Sequence, residues 1–449
     1  MTDKIRTSGG NRPLPTFNTI SSIAVVVGII VGSGIFRLPP VVAAYSANGF
    51  QFILFWIAGG VISLLGALCY AELSSANPDS GGEYYFLSKS YGRAIGFLFT
   101  WGRMTVIQTG SIALVAFILG DYASLILNIG EFSSSIYAAL VIIFLSGLNI
   151  IGTKHSRRTQ LILTSVIVIV LVIISLSALF SVTEESRQSF ISSNTTEGLF
   201  SGGNAGMAMI FVLLTYGGWN EAAYLSGELI NVRKNIIKVL VAGIAVTTIL
   251  YVLVNLACLK VLGLEEIKNS RTIGSDFTKH IFGKTGSVVV AIIVIISALS
   301  TINATILTGA RTNYALGRDF KLFRFMGKWN KASNAPVNAL IVQGTISLLL
   351  VLIGAWSKQA VETLVDYTAP VFWLFLLLTT GSLFLFRRKN KAIIQTYKVP
   401  LYPVTPILFL LTCLYMLYSS LVFTGTGALI SIAFLMAGIP IYLFTLRFR

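Results

Sequence analysis

The sequence predicts an all-α polytopic membrane protein with about twelve transmembrane helices, two of them broken. Of its 449 residues, 55% are hydrophobic and only 11% are charged, whereas soluble domains carry about 25% charged residues. Apolar windows of about 18 or more residues, long enough to cross a bilayer, recur along the chain. Two of these windows contain glycine interruptions, Gly32-Ser33-Gly34 and Gly217-Gly218-Trp219.

Each apolar window is taken as one span, numbered one to twelve in chain order. Residues 1–16 are polar and lack the apolar core of a cleaved signal peptide, so they form a tail and span one itself directs insertion. The polar connection 182–203 could hold a short surface helix. No linker rich in Pro, Gly or Ser divides the remainder, which predicts one domain over 17–449. The spans are predicted near 17–46, 50–75, 92–125, 135–152, 159–182, 204–229, 236–263, 286–317, 336–355, 361–386, 401–422 and 425–446.

Positive charge sets the orientation of the spans. With the N-terminus inside, 24 of the 33 lysines and arginines lie on cytoplasmic segments and seven on external ones, the positive-inside pattern. Arg37 and Arg103 fall within spans. Both termini are therefore expected in the cytoplasm, in a multi-pass protein of a plasma (inner) membrane. The formal net charge of +16 thus reflects cytoplasmic loops and not nucleic-acid binding.

The two glycine breaks lie 185 positions apart, at Gly32 and Gly217. This offset of five spans predicts two repeats of opposite topology, over about 17–182 and 204–386, followed by two further helices over about 401–446. Broken helices at membrane depth are tolerated only where they line a cavity or are buried in protein. Paired breaks of this kind form the substrate sites of secondary transporters. A packing face of small residues is the alternative for a single Gly-Ser-Gly, and the matched second break makes it the weaker one.

An unwound turn offers backbone groups of both signs to a ligand. The half-helix that begins near Ile35 has free N–H groups and a positive dipole end, which favour a carboxylate. The carbonyls near Ile30 and Val31 favour an ammonium group, and those near Leu214 and Gly217 do the same at the second break. This arrangement predicts binding of a zwitterion with both groups on one carbon.

Five stretches carry a resemblance to a known family. They are the span-one run Ile29–Phe36, the segment Ala71–Tyr84 after span two, the end of span four at Asn149–Lys154, the turn Tyr216–Asn220, and the end of span eight at Arg311–Asp319. Together they resemble the amino acid–polyamine–organocation superfamily, and most closely its L-type amino acid transporter branch. The resemblance covers most of the chain and implies a LeuT-type fold, a 5+5 inverted repeat with helices 1 and 6 broken.

The resemblance also implies which residues bind substrate. The amides of Ser33 and Gly34 would hold the carboxylate. The α-amino group would be held by three carbonyls, those of Ile30, Leu214 and Gly217. The other residues of the two turns would line the site: Gly32, Tyr216, Gly218, Trp219 and Asn220. Trp219 and Asn220 would also stabilise the second turn.

Three positions depart from the family's pattern. Leu214 replaces the aromatic gate that is usual in span six, for which Phe211 could compensate. Ile167 occupies the position, counted from Gly152-Thr153-Lys154, at which many relatives carry a lysine in place of sodium. Glu221 follows Asn220 where L-type relatives often have an aromatic residue.

Polar side chains inside the spans leave several ion roles open. An intramembrane charge costs about 2.5–3.5 kcal/mol at mid-bilayer, so Glu221 needs an explanation: it binds a proton or cation, or it pairs with Arg103. In span eight, Ser300, Thr301 and Asn303 could coordinate sodium with hard oxygen ligands, or bond to backbone within the helix. Glu72 and Glu228 are expected to pair with Arg or Lys.

The predicted function is secondary active transport of α-amino acids by alternating access, as a permease or exchanger. Neutral L-amino acids are favoured because no acidic group other than Glu221 awaits a cationic side chain. The alternatives are proton- or sodium-coupled transport of cationic amino acids or polyamines, and a receptor that binds amino acids without transport. No enzyme and no cofactor are indicated, because no nucleophile–base or metal-ligand set is visible: there are two histidines, and Cys69, Cys258 and Cys413 lie far apart in apolar runs. The oligomeric state is not indicated.

Overall fold

Spans one and six are each built from two short helices joined by a turn. The computed structural model describes residues 13–180, 204–270, 272–357, 368–389, 397–425 and 427–447. Span one consists of the helix Thr19–Ile30, a 3-10 turn Ser33–Phe36 and the helix Pro39–Ala44. Span six consists of the helix Asn204–Thr215, a 3-10 turn Trp219–Glu221 and the helix Ala222–Leu225. Both predicted breaks are therefore confirmed.

Ten further helices among the described residues are long and apolar enough to cross a membrane. They follow the predicted order: spans two to five lie between the two broken spans, and spans seven to twelve follow the second broken span. With the two broken spans they make twelve, which confirms the all-α multi-pass fold class. Their bounds are Gly49–Ala76, Arg93–Ile126, Ser133–Ile151, Thr153–Phe180, Val232–Asn269, Gly286–Asp319, Val337–Trp356, Ala369–Lys389, Val404–Thr424 and Gly427–Leu446.

Short polar and glycine signals set where several spans begin and end. The side chains of Asn18 and Asn48 cap spans one and two, each accepting the backbone N–H three residues later at 2.8 Å. Gly152 ends span four, and span five begins at the next residue. Span seven bends at Gly263, whose φ is 74°, so its regular part ends where the apolar window predicts.

The structure also contains elements that the apolar windows did not predict. The helix Glu83–Tyr91 precedes span three, and the helix Ile273–Phe282 lies between spans seven and eight. Both are too short to cross a bilayer and mix polar with apolar residues, so hydropathy does not reveal them. Within span three, Arg103–Ile107 forms a π-helical segment, a feature frequent at functional sites. The predicted surface helix in 182–203, residues 1–12 of the tail and the predicted start of span ten at 361–367 lie outside the described residues.

Span eight forms the buried centre of the fold. Of its most apolar window 72% is buried, against 22% for span eleven and 12% for span twelve. Span eight packs against spans three, four and five and against the first helix of span one, Thr19–Ile30, while span seven packs on spans one and two. The two C-terminal helices therefore lie at the edge, where their apolar side chains face lipid. The central position of span eight explains why its hydroxyls and amides need partners within the protein.

Candidate substrate site at the two helix breaks

The break in span one places the start of a helical turn inside the span. The inner helix ends at Ile30, Val31 leaves helical geometry with ψ 65°, and Gly32 is extended. The turn Ser33–Phe36 begins the outer half. The first amides of such a turn have no earlier carbonyl within it to bond. Ser33 and Gly34 thus lie at the start of a helical turn, where a site for the substrate carboxylate was expected. Their role in binding substrate stays a prediction.

The break in span six depends on glycine. Gly218 has φ 111° and ψ −12°, a left-handed conformation that glycine alone adopts without steric cost. Just before it, Tyr216 is fully buried, and its hydroxyl donates to the carbonyl of Trp56 at 2.9 Å. The turn is thereby anchored to span two. Trp219, Asn220 and Glu221 follow as a buried 3-10 turn.

The two breaks are in direct contact. A Cβ atom on Gly218 would lie 2.4 Å from Cγ2 of Ile29, and one on Gly34 would lie 3.1 Å from Cγ2 of Thr215. The absence of side chains at these glycines therefore lets the turn of one span lie against the last helical turn of the other. The residues predicted to bind substrate at the two breaks are brought together in one place.

A tyrosine from span seven joins the two carbonyl ends. The hydroxyl of Tyr251 donates to the Ile30 carbonyl at 2.7 Å and lies 3.2 Å from the Thr215 carbonyl oxygen. The Ile30 carbonyl also accepts the Gly32 N–H at 2.8 Å, and the Leu214 carbonyl accepts the Gly217 N–H at 3.1 Å. Two of the three carbonyls predicted to bind the ammonium group, those of Ile30 and Leu214, thus already accept hydrogen bonds in this conformation. Sequence reasoning missed Tyr251, because one tyrosine in an apolar span gives no signal.

A small apolar cavity lies beside the second break. Gly217, Trp219 and Asn220 form one wall, and spans two, ten and eleven supply the rest, including Phe372, Trp373 and Phe409. The Trp219 ring meets Phe409 edge-on, with centroids 5.7 Å apart. The cavity therefore offers a predominantly aromatic surface next to the turn of span six.

The predicted gate positions lie away from this cavity. The side chain of Leu214 is 55% exposed. Phe211, one turn earlier, stacks on Tyr45 of the outer half of span one, with ring centroids 6.3 Å apart. Phe211 thus contacts the outer half of span one, and whether it compensates for the missing aromatic gate stays a prediction.

Arg103 and two glutamates form a buried charged cluster next to the second break. Nη2 of Arg103, in the π-helical segment of span three, donates to both carboxylate oxygens of Glu221 at 2.6 Å. Nη1 lies 4.0 Å from Oε2 of Glu83. The guanidinium also lies over the ring of Tyr224, 4.3 Å from its centroid. Of the two roles considered for Glu221, pairing with Arg103 is therefore present in the structure.

Glu83 is the second acid of this cluster, and sequence reasoning missed it as a site residue. It accepts hydrogen bonds from the hydroxyls of Tyr70 and Tyr224, and from Nδ2 of Asn220 at 3.2 Å. Its place in the family-like segment after span two was the one available signal. Through Asn220 the cluster is connected to the turn of span six.

The polar residues singled out in span eight bond to spans one and five. Ser300 Oγ accepts from Nε2 of Gln160 at 2.8 Å. Thr301 donates to the Gly28 carbonyl at 3.0 Å. Asn303 donates to Oε1 of Gln160 at 2.8 Å. These bonds tie the inner half of span one, span five and span eight into one polar cluster.

Within span five, Thr164, one turn before Ile167, also reaches span one. Its hydroxyl donates to the Ala24 carbonyl at 2.9 Å and lies 3.1 Å from Ser300 Oγ. Ile167 is fully buried among apolar residues. Uncharged Thr164 thus occupies the junction of spans one, five and eight.

The N-terminal end of span one and the C-terminal ends of spans six and eight are held together. Arg311 binds Glu228 through two nitrogens, at 2.6 and 3.0 Å, and both side chains are at most 2% exposed. Phe17 exchanges backbone hydrogen bonds with Glu228 and Ile230 at 3.0 and 2.9 Å. The expected pairing of Glu228 with a basic residue is therefore present. Arg311, one of the 24 basic residues that the sequence count assigned to cytoplasmic segments, lies buried within span eight.

A second expected pair joins spans two and ten. Arg387 binds both carboxylate oxygens of Glu72 at 2.7 and 2.5 Å. The backbone N–H of Val399 donates to the same carboxylate at 2.6 Å. Glu72 thus ties the segment before span eleven to the body of the protein.

Comparison with known proteins gives matches over nearly the whole chain. The family described as amino acid permease matches residues 17–445. The b(0,+)-type amino acid transporter 1 of Homo sapiens is 28% identical over 436 residues, which cover 96% of this chain and 88% of its own length. The serine/threonine exchanger SteT of Bacillus subtilis is 27% identical over 427 residues, 94% of each chain. The large neutral amino acids transporter small subunit 2 of Mus musculus is 27% identical over 430 residues, covering 94% of this chain and 79% of its own.

Proposed function

Because the chain belongs to the amino acid permease family, within the amino acid–polyamine–organocation superfamily, we propose that it carries neutral L-α-amino acids across the plasma membrane by alternating access. Family membership confirms the resemblance, and the relatives are multi-pass amino acid transporters and not enzymes. The neutral substrate, the alternating-access mechanism, the plasma membrane and the cytoplasmic termini belong to the proposal.

The observation that carries the proposal is the contact between the two broken spans. It brings the start of the outer half of span one close to the carbonyl ends at Ile30 and Thr215, so groups of opposite sign lie near one another. In the proposed complex the Ser33 and Gly34 amides hold the substrate carboxylate. The ammonium group takes the carbonyls of Ile30, Leu214 and Gly217, and replaces the hydrogen bond from Tyr251.

The apolar cavity supports a neutral substrate side chain. Burial of apolar surface there contributes about 25 cal/mol per Å². Glu221, the acid nearest the turn, has both oxygens bonded to Arg103, which leaves it poorly placed to receive the cationic end of lysine, arginine or a polyamine. A neutral, apolar side chain lying against Trp219 and Phe409 fits the cavity best.

The contacts at the cytoplasmic ends support alternating access. The Arg311–Glu228 pair and the backbone pairing of Phe17 close the inner side below the breaks. For substrate to leave toward the cytoplasm, the inner half of span one and span eight must separate. In the proposed mechanism these contacts break and re-form in each cycle.

The test is counterflow of labelled amino acids in proteoliposomes. We expect leucine and alanine to exchange, and arginine and putrescine to compete weakly. Accumulation of the cations without leucine would overturn the substrate class, and binding without flux would indicate a receptor.

A cavity-filling variant makes the test sharper. Thr412 lines the cavity, so Thr412→Phe should reduce leucine counterflow more than alanine counterflow, because only the larger side chain needs that space. The matched control is Leu411→Phe, at the neighbouring position of span eleven, where the side chain is 56% exposed. An unchanged leucine-to-alanine ratio in Thr412→Phe would place the side-chain site elsewhere.

A further inference from the structure

The buried cluster beside the second break contains one more acid than base. The side chains of Arg103, Glu83 and Glu221 are 5%, 4% and 9% exposed. Four titratable groups face Glu83: Tyr70 from span two, Tyr224 and Glu221 from span six, and Arg103 from span three. Two further charged groups on neighbouring helices, Asp319 and Arg387, have partners of their own.

Asp319, at the end of span eight, accepts a hydrogen bond from Tyr84 at 2.7 Å. Arg387, at the end of span ten, binds Glu72. Arg387 is therefore committed to Glu72, and Asp319, an acid, adds no positive charge near Glu83.

The positive charge of Arg103 lies closer to the carboxylate of Glu221 than to that of Glu83, so it compensates Glu221 more strongly. Nη2 lies 2.6 Å from each Glu221 oxygen, whereas the nearest approach to Glu83 is 4.0 Å. Two carboxylates that share one base in a low-dielectric interior do not both ionise freely. Phenol hydroxyls both donate and accept, so Tyr70 and Tyr224 can hold Glu83 whether it is ionised or neutral.

We propose that Glu83 is a proton-binding site and that transport requires its protonated form. The proton comes from solvent and returns to it, with no other bond changed, and its presence makes the cluster electrically neutral. The inference rests on the proposed transport function. It assigns to Glu83 the proton role for which Glu221 was the sequence candidate.

The same contacts connect Glu83 to the substrate site. Asn220 donates to Glu83 at 3.2 Å and also lines the apolar cavity. Trp219, on the cavity wall, packs edge-on against Tyr70 at 5.1 Å between centroids, and Tyr70 donates to Glu83. Protonation of Glu83 changes what Tyr70 and Asn220 bond, so it acts directly on the turn of span six.

The experiment is leucine counterflow in proteoliposomes with equal pH on both sides, from acid to alkaline. In the unaltered protein we expect the rate to fall about tenfold per pH unit on the alkaline side of a single titration. Glu83→Gln, which mimics the protonated acid, should transport with a flat pH profile. The matched control is Glu265→Gln, an acid whose side chain is 80% exposed on span seven, which should keep the original profile.

Two further variants keep the proposal testable if Glu83→Gln does not fold. Tyr224→Phe removes a donor that stabilises the carboxylate, so the midpoint of the pH profile should move to higher pH. Glu221→Gln frees Arg103 to compensate Glu83, so the midpoint should move to lower pH while the dependence persists.

The outcomes separate this inference from the proposed function. An original pH profile in Glu83→Gln, a flat profile in the unaltered protein, or loss of pH dependence in Glu221→Gln would each overturn the proton site while leaving amino acid transport intact. A protein that shows no counterflow of any amino acid would overturn the proposed function itself.

Discussion

The hydroxyl of Tyr251 lies 2.7 Å from the carbonyl oxygen of Ile30. It also lies 3.2 Å from the Thr215 carbonyl oxygen, so one side chain of span seven contacts the carbonyl ends of both broken spans. A substrate ammonium group carries three donors and a positive charge, which makes it a stronger partner for these carbonyls than a phenol. Tyr251 therefore stabilises, in the structure described, the Ile30 carbonyl that the proposed substrate would bind.

Tyr251→Phe should lower thermal stability, and substrate should restore more of it than in the unaltered protein. The substitution removes a donor from buried carbonyls, a loss of about 1–3 kcal/mol, and an ammonium group can supply the missing hydrogen bond. The measurement is the unfolding temperature in detergent with and without leucine. Tyr418→Phe is the control, because Tyr418 is 66% exposed on span eleven. Equal stabilisation of both variants by leucine would argue against an ammonium site at these carbonyls.

Gly218→Ala should abolish most transport. An alanine must adopt a left-handed conformation, at a cost of about 1–2 kcal/mol, and its Cβ would lie 2.4 Å from Ile29 Cγ2. The two breaks must therefore move apart, and we expect counterflow to fall by at least about tenfold, as about 1.4 kcal/mol of lost binding or barrier energy implies. Gly147→Ala in span four, where no atom lies within 4 Å of the added Cβ, should transport normally. Full activity in Gly218→Ala would show that close contact of the breaks is not required.

The Arg103–Glu221 pair should show strong non-additivity in stability. Arg103→Gln leaves buried carboxylates without a base and should cost about 3–5 kcal/mol. The double variant Arg103→Gln/Glu221→Gln removes both charges of the pair and should be more stable than Arg103→Gln alone. A double-mutant cycle on unfolding temperature and on the folded fraction measures the coupling. If the two single effects simply add, the contact at 2.6 Å does not stabilise the fold.

Two arginines of span eight provide a matched pair for testing whether burial governs the contribution of an ion pair to stability. Arg311→Gln breaks a buried pair and should destabilise the protein by about 3–5 kcal/mol. Arg318→Gln breaks the contact with Asp79 at 3.0 Å, where the arginine is 38% exposed, and should cost about 0–1 kcal/mol. Unfolding in detergent compares them directly. Comparable losses would mean that burial does not govern these pairs.

Leucine uptake should be independent of a sodium gradient. Sodium coordination at Ser300 and Thr301 would compete with the hydrogen bonds to Gln160 and Gly28, so these hydroxyls are committed to protein partners. Ser300→Ala should consequently lower stability, by about 1 kcal/mol for a typical hydrogen bond, without changing the response to sodium. Uptake that requires sodium and loses this requirement in Ser300→Ala would establish the ion site.

The features that the sequence predicted well are those encoded locally. Span number, span order and the positions of both breaks follow from apolar windows and from glycines such as Gly32 and Gly218, because hydropathy and backbone freedom act over a few residues. The pairing of Glu221 with Arg103 could be proposed because a charge inside a span must find a partner and few are available.

The sequence by itself determined that this is a twelve-span protein with two glycine-broken helices, and it predicted that their backbone groups bind a zwitterion. Only the tertiary structure decided that Tyr251 bridges both carbonyl ends, that Thr164 meets Ala24, and that Glu83 joins the charged cluster. These partners come from spans or loops far apart in the chain. Their choice depends on which helix faces meet after packing, and no local pattern of residues specifies that.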